Sequence, residues 1–337
     1  MSHQDPTPQD PLPENQDGVP QPSHPVELSV DPDMKKVLSQ LEALGGPGFS
    51  EMTPKEARSF SETFANPAPT IYSVEHVRDL HIPGPEGEIP ARLYHPSPGT
   101  PCPVVVAFHG GGWVLGSIDS YDDECRMMST MAKVAVLSVG YRLAPEHPYP
   151  AAVNDAFAAL CWAYEHADEL EVDSSRMAVA GSSAGANLAA VCTLLARDQG
   201  APPIRFQLLV YPVTDADFER PTMYAFEKGF LLEREDMIWF WNHYCPNHSD
   251  RTHFKASPLR APTLVGLPPA YLALASLDPL LEEGLDYGTR LQQEGVRCTI
   301  RVARGFIHGF FQMTGSCPGA MDEIEMAYTA LAEELYR

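Results

Sequence analysis

Residues 177–190 read MAVAGSSAGANLAA: a short apolar run, the pentapeptide Gly181-Ser182-Ser183-Ala184-Gly185, and an alanine-rich stretch of helical character. An apolar strand that turns into a helix across a GxSxG pentapeptide is the setting in which a serine hydroxyl is pushed outward from a strained, tight turn. The two glycines serve a steric need, because strand and helix must approach closely on either side of that turn. Composition alone predicts about 0.1 chance occurrences of the bare pattern in a chain with this Gly and Ser content, so its placement between strand and helix carries more weight than the match itself. Ser183 is the candidate nucleophile. Ser182, the variable position of the motif, is expected to point elsewhere. The competing reading is a Gly/Ser-rich helix start with no chemistry.

Working upstream, the β-branched run from Val104 ends in His109-Gly110-Gly111-Gly112-Trp113. Composition gives about 0.004 chance occurrences of HGGG, so this signal is strong. Successive glycines let backbone N–H groups, those of Gly111 and Gly112 among them, turn toward one point and meet the negative oxygen of a tetrahedral intermediate. The Ala184 amide, at the start of a helix whose dipole favours negative charge, is the expected further donor. His109 itself reads as a hydrogen-bonder that fixes the loop rather than as a base.

Farther out, strand signals come at Ser73 to Leu80, after a Pro-Gly-Pro-Glu-Gly turn at Ile89 to Tyr94, and at Val104 to His109, an antiparallel-looking opening. Strands then alternate with helices: Val134 to Tyr141, a helix from Ala151, Met177 to Ala180, a helix from Ala184, Phe206 to Tyr211, Tyr271 to Ser276, a helix from Glu282, Thr299 to Val302 and a last helix from Met321. Such alternation indicates an α/β protein with a parallel sheet covered on both faces. Residues 1–25 hold seven prolines and read as a mobile tail. Residues 26–72 read as N-terminal cap helices, one from Pro32 ended by Gly45 and Gly46, the other capped by Thr53 with Glu56 closing the capping box. Residues 215–255 interrupt the alternation with nine of the chain's 31 aromatic residues and read as a cap inserted between core segments 73–214 and 256–337.

The chain from about residue 74 onward resembles the hormone-sensitive-lipase-like esterases of the α/β-hydrolase superfamily. The shared segments are His109 to Gly112, Gly181 to Ala186, Asp278-Pro279-Leu280-Leu281-Glu282-Glu283-Gly284 and His308-Gly309-Phe310, with Tyr141 to Glu146 and Pro150 to Val153 as further family-like stretches. Ser182 and Ala186 depart from the commonest version of the elbow, which has Asp and Gly there. The resemblance implies an α/β-hydrolase fold, with a mostly parallel eight-stranded sheet flanked by helices and a helical cap. It also implies a catalytic triad in which Ser183 attacks the acyl carbon, His308 relays its proton and Asp278 orients the imidazole. The sequence agrees independently, since Asp278 and His308 each follow a strand, and loops at strand C-terminal ends converge on one face. Glu282, Glu283 and Asp286 are rival acids; each falls inside the following helix and reads as a solvated or first-turn charge.

The expected activity is hydrolysis of short-chain acyl esters through an acyl-enzyme, with a small-molecule ester as partner and no cofactor. A deacetylase or lactonase for one metabolite is the alternative within the same chemistry. A binding protein is the alternative outside it, since some plant hormone receptors resemble this family but lack a complete triad; the presence of His308 argues against it. A net charge of −22 disfavours nucleic acid and anionic lipid surfaces, and with no Gly-Lys pair there is no phosphate-cradling loop. His243, Cys245, His248 and His253 cluster, but with no zinc-ligand spacing, so no metal is expected. Met177 to Ala196 is long enough to span a membrane, yet its Gly, Ser, Asn and Thr suit a soluble strand, turn and helix. The polar N-terminus lacks the features of a signal peptide, and the odd number of cysteines, seven without a CxxC pair, suits reduced thiols; the expected location is the cytoplasm. A homodimer paired through the strand at Thr299 to Val302 is left open.

Overall fold

The computed structural model describes residues 29–64 and 72–337, so the proposed tail at 1–25 lies outside the described residues. One eight-stranded sheet organises the chain. Its strands are β1 (His76–Gly84), β2 (Gly87–His95), β3 (Cys102–Phe108), β4 (Ala135–Val139), β5 (Val172–Ser182), β6 (Phe206–Val210), β7 (Ala270–Leu277) and β8 (Cys298–Ile307), in the order β1-β2-β4-β3-β5-β6-β7-β8. β1 and β2 are antiparallel to their neighbours, and the other six strands run parallel. The hairpin is tighter than its sequence suggests: Gly84 pairs with Gly87, so both strands run into the expected five-residue turn. Pro83 is tolerated because β1 is an edge.

Strand side chains alternate between two apolar layers, as a sheet covered on both faces requires. Val104, Val106 and Phe108 of β3, Val179 of β5 and Leu272 of β7 enter one layer; Val105, Ala107, Ala180 and Ala273 enter the other. The first layer is closed by α4 (Ala151–Glu165), α6 (Ala184–Gln199) and α9 (Leu281–Gln293), with the short α5 (Ala167–Leu170) at its margin. The second is closed by α3 (Asp122–Ala132) and α10 (Ala320–Leu335). α3 gave no helical signal in the sequence. Its buried positions include Glu124 and Ser129 beside Cys125, Met127 and Met128, which blurs the apolar face.

The two N-terminal helices part company. In α1 (Pro32–Leu44), Met34 and Val37 join the second layer, and the Asp31 amide donates to Gly305 O at 3.1 Å. α2 (Pro54–Phe64) instead lies near α8 (Arg234–Tyr244): Phe49, just ahead of α2, contacts Phe60 and Phe240, and the Ser50 amide donates to Asp236 at 2.9 Å. α7 (Pro221–Ala225) precedes α8 within the aromatic-rich segment. Among the described residues no helix is long and apolar enough to cross a membrane.

Candidate active site

Four loops leave the C-terminal ends of β3, β5, β7 and β8, and they carry the residues singled out from the sequence. Ser183 follows β5 directly and occupies the N-cap of α6 at φ 56°, the strained conformation of a nucleophile turn. Its amide donates to Val210 O of the neighbouring strand at 2.9 Å, which fixes the turn from the sheet side. The motif glycines have no room for side chains: a Cβ on Gly181 would overlap the Gly185 backbone, and one on Gly185 would overlap the Phe108 carbonyl. Ser182 is buried beside Gly110, its hydroxyl bonded to the Tyr121 phenol.

Asp278 follows β7 and His308 follows β8, whose last residues, Leu277 and Ile307, are register partners. The acid and the base therefore start side by side. β8 reaches His308 only through a bulge, since Ala275 pairs with Ala303 but Leu277 with Ile307; Gly305, at φ 80°, takes up the extra length and donates to Ser276 Oγ at 2.8 Å. The result is a continuous relay. His308 Nδ1 lies 2.7 Å from Asp278 Oδ2, and His308 Nε2 lies 3.0 Å from Ser183 Oγ. Asp278 Oδ1 accepts from the Leu280 amide at 2.9 Å, which leaves Oδ2 for the imidazole. The Tyr211 ring packs against the imidazole with centroids 4.5 Å apart, a contact that no sequence signal announced.

The glycine loop approaches from β3. Gly111, Gly112 and Trp113 have φ of 112°, 59° and 60°, so the backbone runs through three successive left-handed or glycine-type conformations. Gly110 O accepts from His109 Nδ1 at 2.8 Å, and Gly111 O accepts from Val114 and Leu115 at 3.1 and 2.8 Å. In a trans peptide the N–H points opposite to the carbonyl, so anchoring these two carbonyls turns the Gly111 and Gly112 N–H groups the other way. His109 is buried and stacked on Tyr141; burial pulls its pKa down to about 4, so it is neutral and acts as the loop's fixing donor.

Of the rival acids, none serves His308, but the expectation that they are solvated is corrected for two. Glu282 and Glu283 stand in the first turn of α9 yet are buried, and they accept backbone amides of Thr222 and of Thr214 and Asp215 respectively. Burial pushes Glu283 up to about 8. Asp286 pairs with Arg220 at 2.6 Å. The His/Cys cluster at 243–253 is dispersed among separate partners: His243 packs edge-on against Trp239, Cys245 donates to Asn247 O, and His253 accepts from the Lys255 amide. Among the described residues no group of three or more His, Cys, Asp or Glu is placed to hold a metal ion.

The site is covered. Ser183 and His308 are each 9% exposed. Phe240 of α8 lies against Gly112 so closely that a Cβ there would penetrate its ring. Trp113 and Tyr244 stack with centroids 4.0 Å apart, and Trp241 meets Trp113 edge-on at 5.0 Å.

Residues 105–312 match the family model described as the alpha/beta hydrolase fold. The carboxylic ester hydrolase LipN of Mycobacterium tuberculosis is 42% identical over 90% of this chain and 83% of its own. The ethyl acetate hydrolase of Pseudomonas putida is 34% identical over 91% of this chain and all of its own. A thermostable esterase of Pseudomonas putida superposes with a TM-score of 0.88 at 35% identity, covering 92% of this chain and 98% of that one. The chain belongs to the α/β-hydrolase family, and within it to the hormone-sensitive-lipase-like carboxylic ester hydrolases.

Proposed function

We propose that the protein is a serine carboxylesterase that hydrolyses short-chain acyl esters through an acyl-enzyme. The observation that carries this reading is the relay from Asp278 through His308 to Ser183 Oγ, at 2.7 and 3.0 Å, beside a glycine loop whose carbonyls are tied back. Ser183 Oγ attacks the acyl carbon as His308 Nε2 takes its proton, and Asp278 stabilises the imidazolium that forms. The N–H groups of Gly111, Gly112 and Ala184 receive the charge that grows on the carbonyl oxygen. Collapse expels the alcohol, which takes the proton back from His308; a water activated by the same imidazole then releases the acid.

A short acyl group is supported by the cover. Phe240 against Gly112 and the ring pair Trp113–Tyr244 next to the glycine loop are apolar cover of the kind that suits a small acyl group. The segments around α2 and α8 act as the cap, excluding water from the relay. The partner is a small ester, and the excess of acidic residues opposes nucleic acid and anionic membranes alike. Seven free cysteines support a reducing compartment, the cytoplasm. The test is a nitrophenyl ester series from acetyl to long acyl, run beside Ser183→Ala. Fast turnover confined to short chains and abolished by the substitution is expected; equal turnover in both proteins would remove Ser183 from the mechanism.

A further inference from the structure

Arg58, on α2, reaches out of the N-terminal segment into the heart of the site's scaffold. Its Nε donates to Val114 O at 2.9 Å and its Nη2 to Ala144 O at 2.8 Å. Val114 closes the turn that begins at Gly111, and the Ala144 amide itself donates to Trp113 O at 2.9 Å. One guanidinium thus joins the far end of the glycine loop to the segment that braces it. The fork is held in its plane by Glu146, which accepts from Nη1 and Nη2 at 2.8 and 2.6 Å. Glu146 is largely exposed, so as an ion pair it contributes little to stability; its effect is orientation.

We propose that Arg58 is a positioning residue for the oxyanion hole, acting through the Val114 and Ala144 carbonyls to hold the N–H groups of Gly111 and Gly112 in place. The inference rests on the serine-esterase reading above. The physical need is plain. Gly111, Gly112 and Trp113 all sit at positive φ and belong to no helix or strand, so no ladder of hydrogen bonds fixes them. Val114 and Ala144 are buried, and loss of the guanidinium would leave two carbonyls without a donor, which favours rearrangement of the loop. A developing oxyanion is stabilised only by donors already in position, so a loosened loop costs rate more than substrate binding. Lysine replaces the clamp only in part, because a single ammonium lacks the rigid fork that serves two carbonyls and a carboxylate together.

The experiment compares Arg58→Gln, Arg58→Lys and Ser183→Ala with the parent protein on a short-chain nitrophenyl ester. Alongside kinetics, it measures inhibition by a trifluoromethyl ketone, whose adduct carries the oxyanion, and by a short-chain alcohol, which carries no negative oxygen. Expected for Arg58→Gln is a fall in kcat of about tenfold with KM within about twofold, matched by a similar loss of ketone affinity at unchanged alcohol affinity. Arg58→Lys should fall in between, and it carries the same criteria should the glutamine variant fail to fold. Unchanged kcat and ketone affinity in the folded variants would overturn the proposal, as would losses that track only the fraction of folded protein. Turnover surviving in Ser183→Ala would instead overturn the serine reading itself, so the two failures are distinguishable.

Discussion

Gly185 leaves no space between its Cα and the end of the adjacent strand: a Cβ built there would lie 2.5 Å from the carbonyl oxygen of His109 and closer still to that of Phe108. The start of α6 thus rests directly on the backbone that leads into the glycine loop, which sets the distance between nucleophile and oxyanion donors. Gly185→Ala should therefore force helix and loop apart, destabilising the protein by about 3 kcal/mol or more. Thermal unfolding together with titration of active sites by an organophosphate checks this; a variant with parent-like melting and full titration would contradict it.

Asp278 holds the imidazole in the tautomer that presents a lone pair to Ser183 Oγ. Asp278→Asn keeps the shape but favours the opposite tautomer, and kcat should fall by roughly 10³ to 10⁴ with KM little changed. Steady-state kinetics near neutral pH decide the matter. A loss of less than tenfold would mean that another acid serves His308.

Glu124 is buried in the first turn of α3 and accepts from Gln312 Nε2 at 3.3 Å; burial pushes its carboxyl up to about 8. For an acid whose pKa rises on folding, the folded state holds the proton more tightly than the unfolded chain. Its favourable contribution is full below the ordinary glutamate value and is lost as pH rises through about 8. Glu124→Gln removes the titration, so the melting temperature of the variant relative to the parent should climb steadily from pH 5 to about pH 9. A constant difference across that range would show that Glu124 titrates normally.

Phe240 and Gly112 occupy one shared space, and at φ 59° Gly112 also adopts a conformation that side chains disfavour. Gly112→Ala should lower kcat/KM by about 100-fold, by displacing both the Phe240 ring and a donor. Adding Phe240→Ala should restore part of that loss, giving a coupling of about 1 kcal/mol or more in a double-mutant cycle. Strict additivity would show that the damage is confined to the loop.

The nucleophile turn was readable because it is local: strand, motif and helix are contiguous, and steric demand writes itself into Gly181 and Gly185. The parallel core strands were readable because burial on both faces selects unbroken apolar runs such as Val104 to Phe108. β1 starts at His76 and continues past the expected end at Leu80 to Gly84, because an exposed edge strand has no apolar period to mark its ends. β8 extends to Ile307 rather than ending at Val302, because Arg304 and Gly305 sit in a bulge that looks like a strand terminus. Glu282 and Glu283 looked solvated because their partners are backbone amides some sixty residues away, and nothing in composition records such a bond. Arg58 is invisible for the same reason, its acceptors lying 56 and 86 residues along the chain.

The chain has four tryptophans, and their distribution has an optical consequence. Trp113 stacks on Tyr244 beside the oxyanion loop, Trp241 meets both edge-on, and Trp239 stands edge-on to Phe240, which covers Gly112; only Trp162 lies apart, stacked on His166. Any displacement of the cover during turnover changes the surroundings of three of the four indoles at once. The protein thus carries its own fluorescent probe of opening, readable in stopped flow without a label, and Trp162→Phe would remove most of the background.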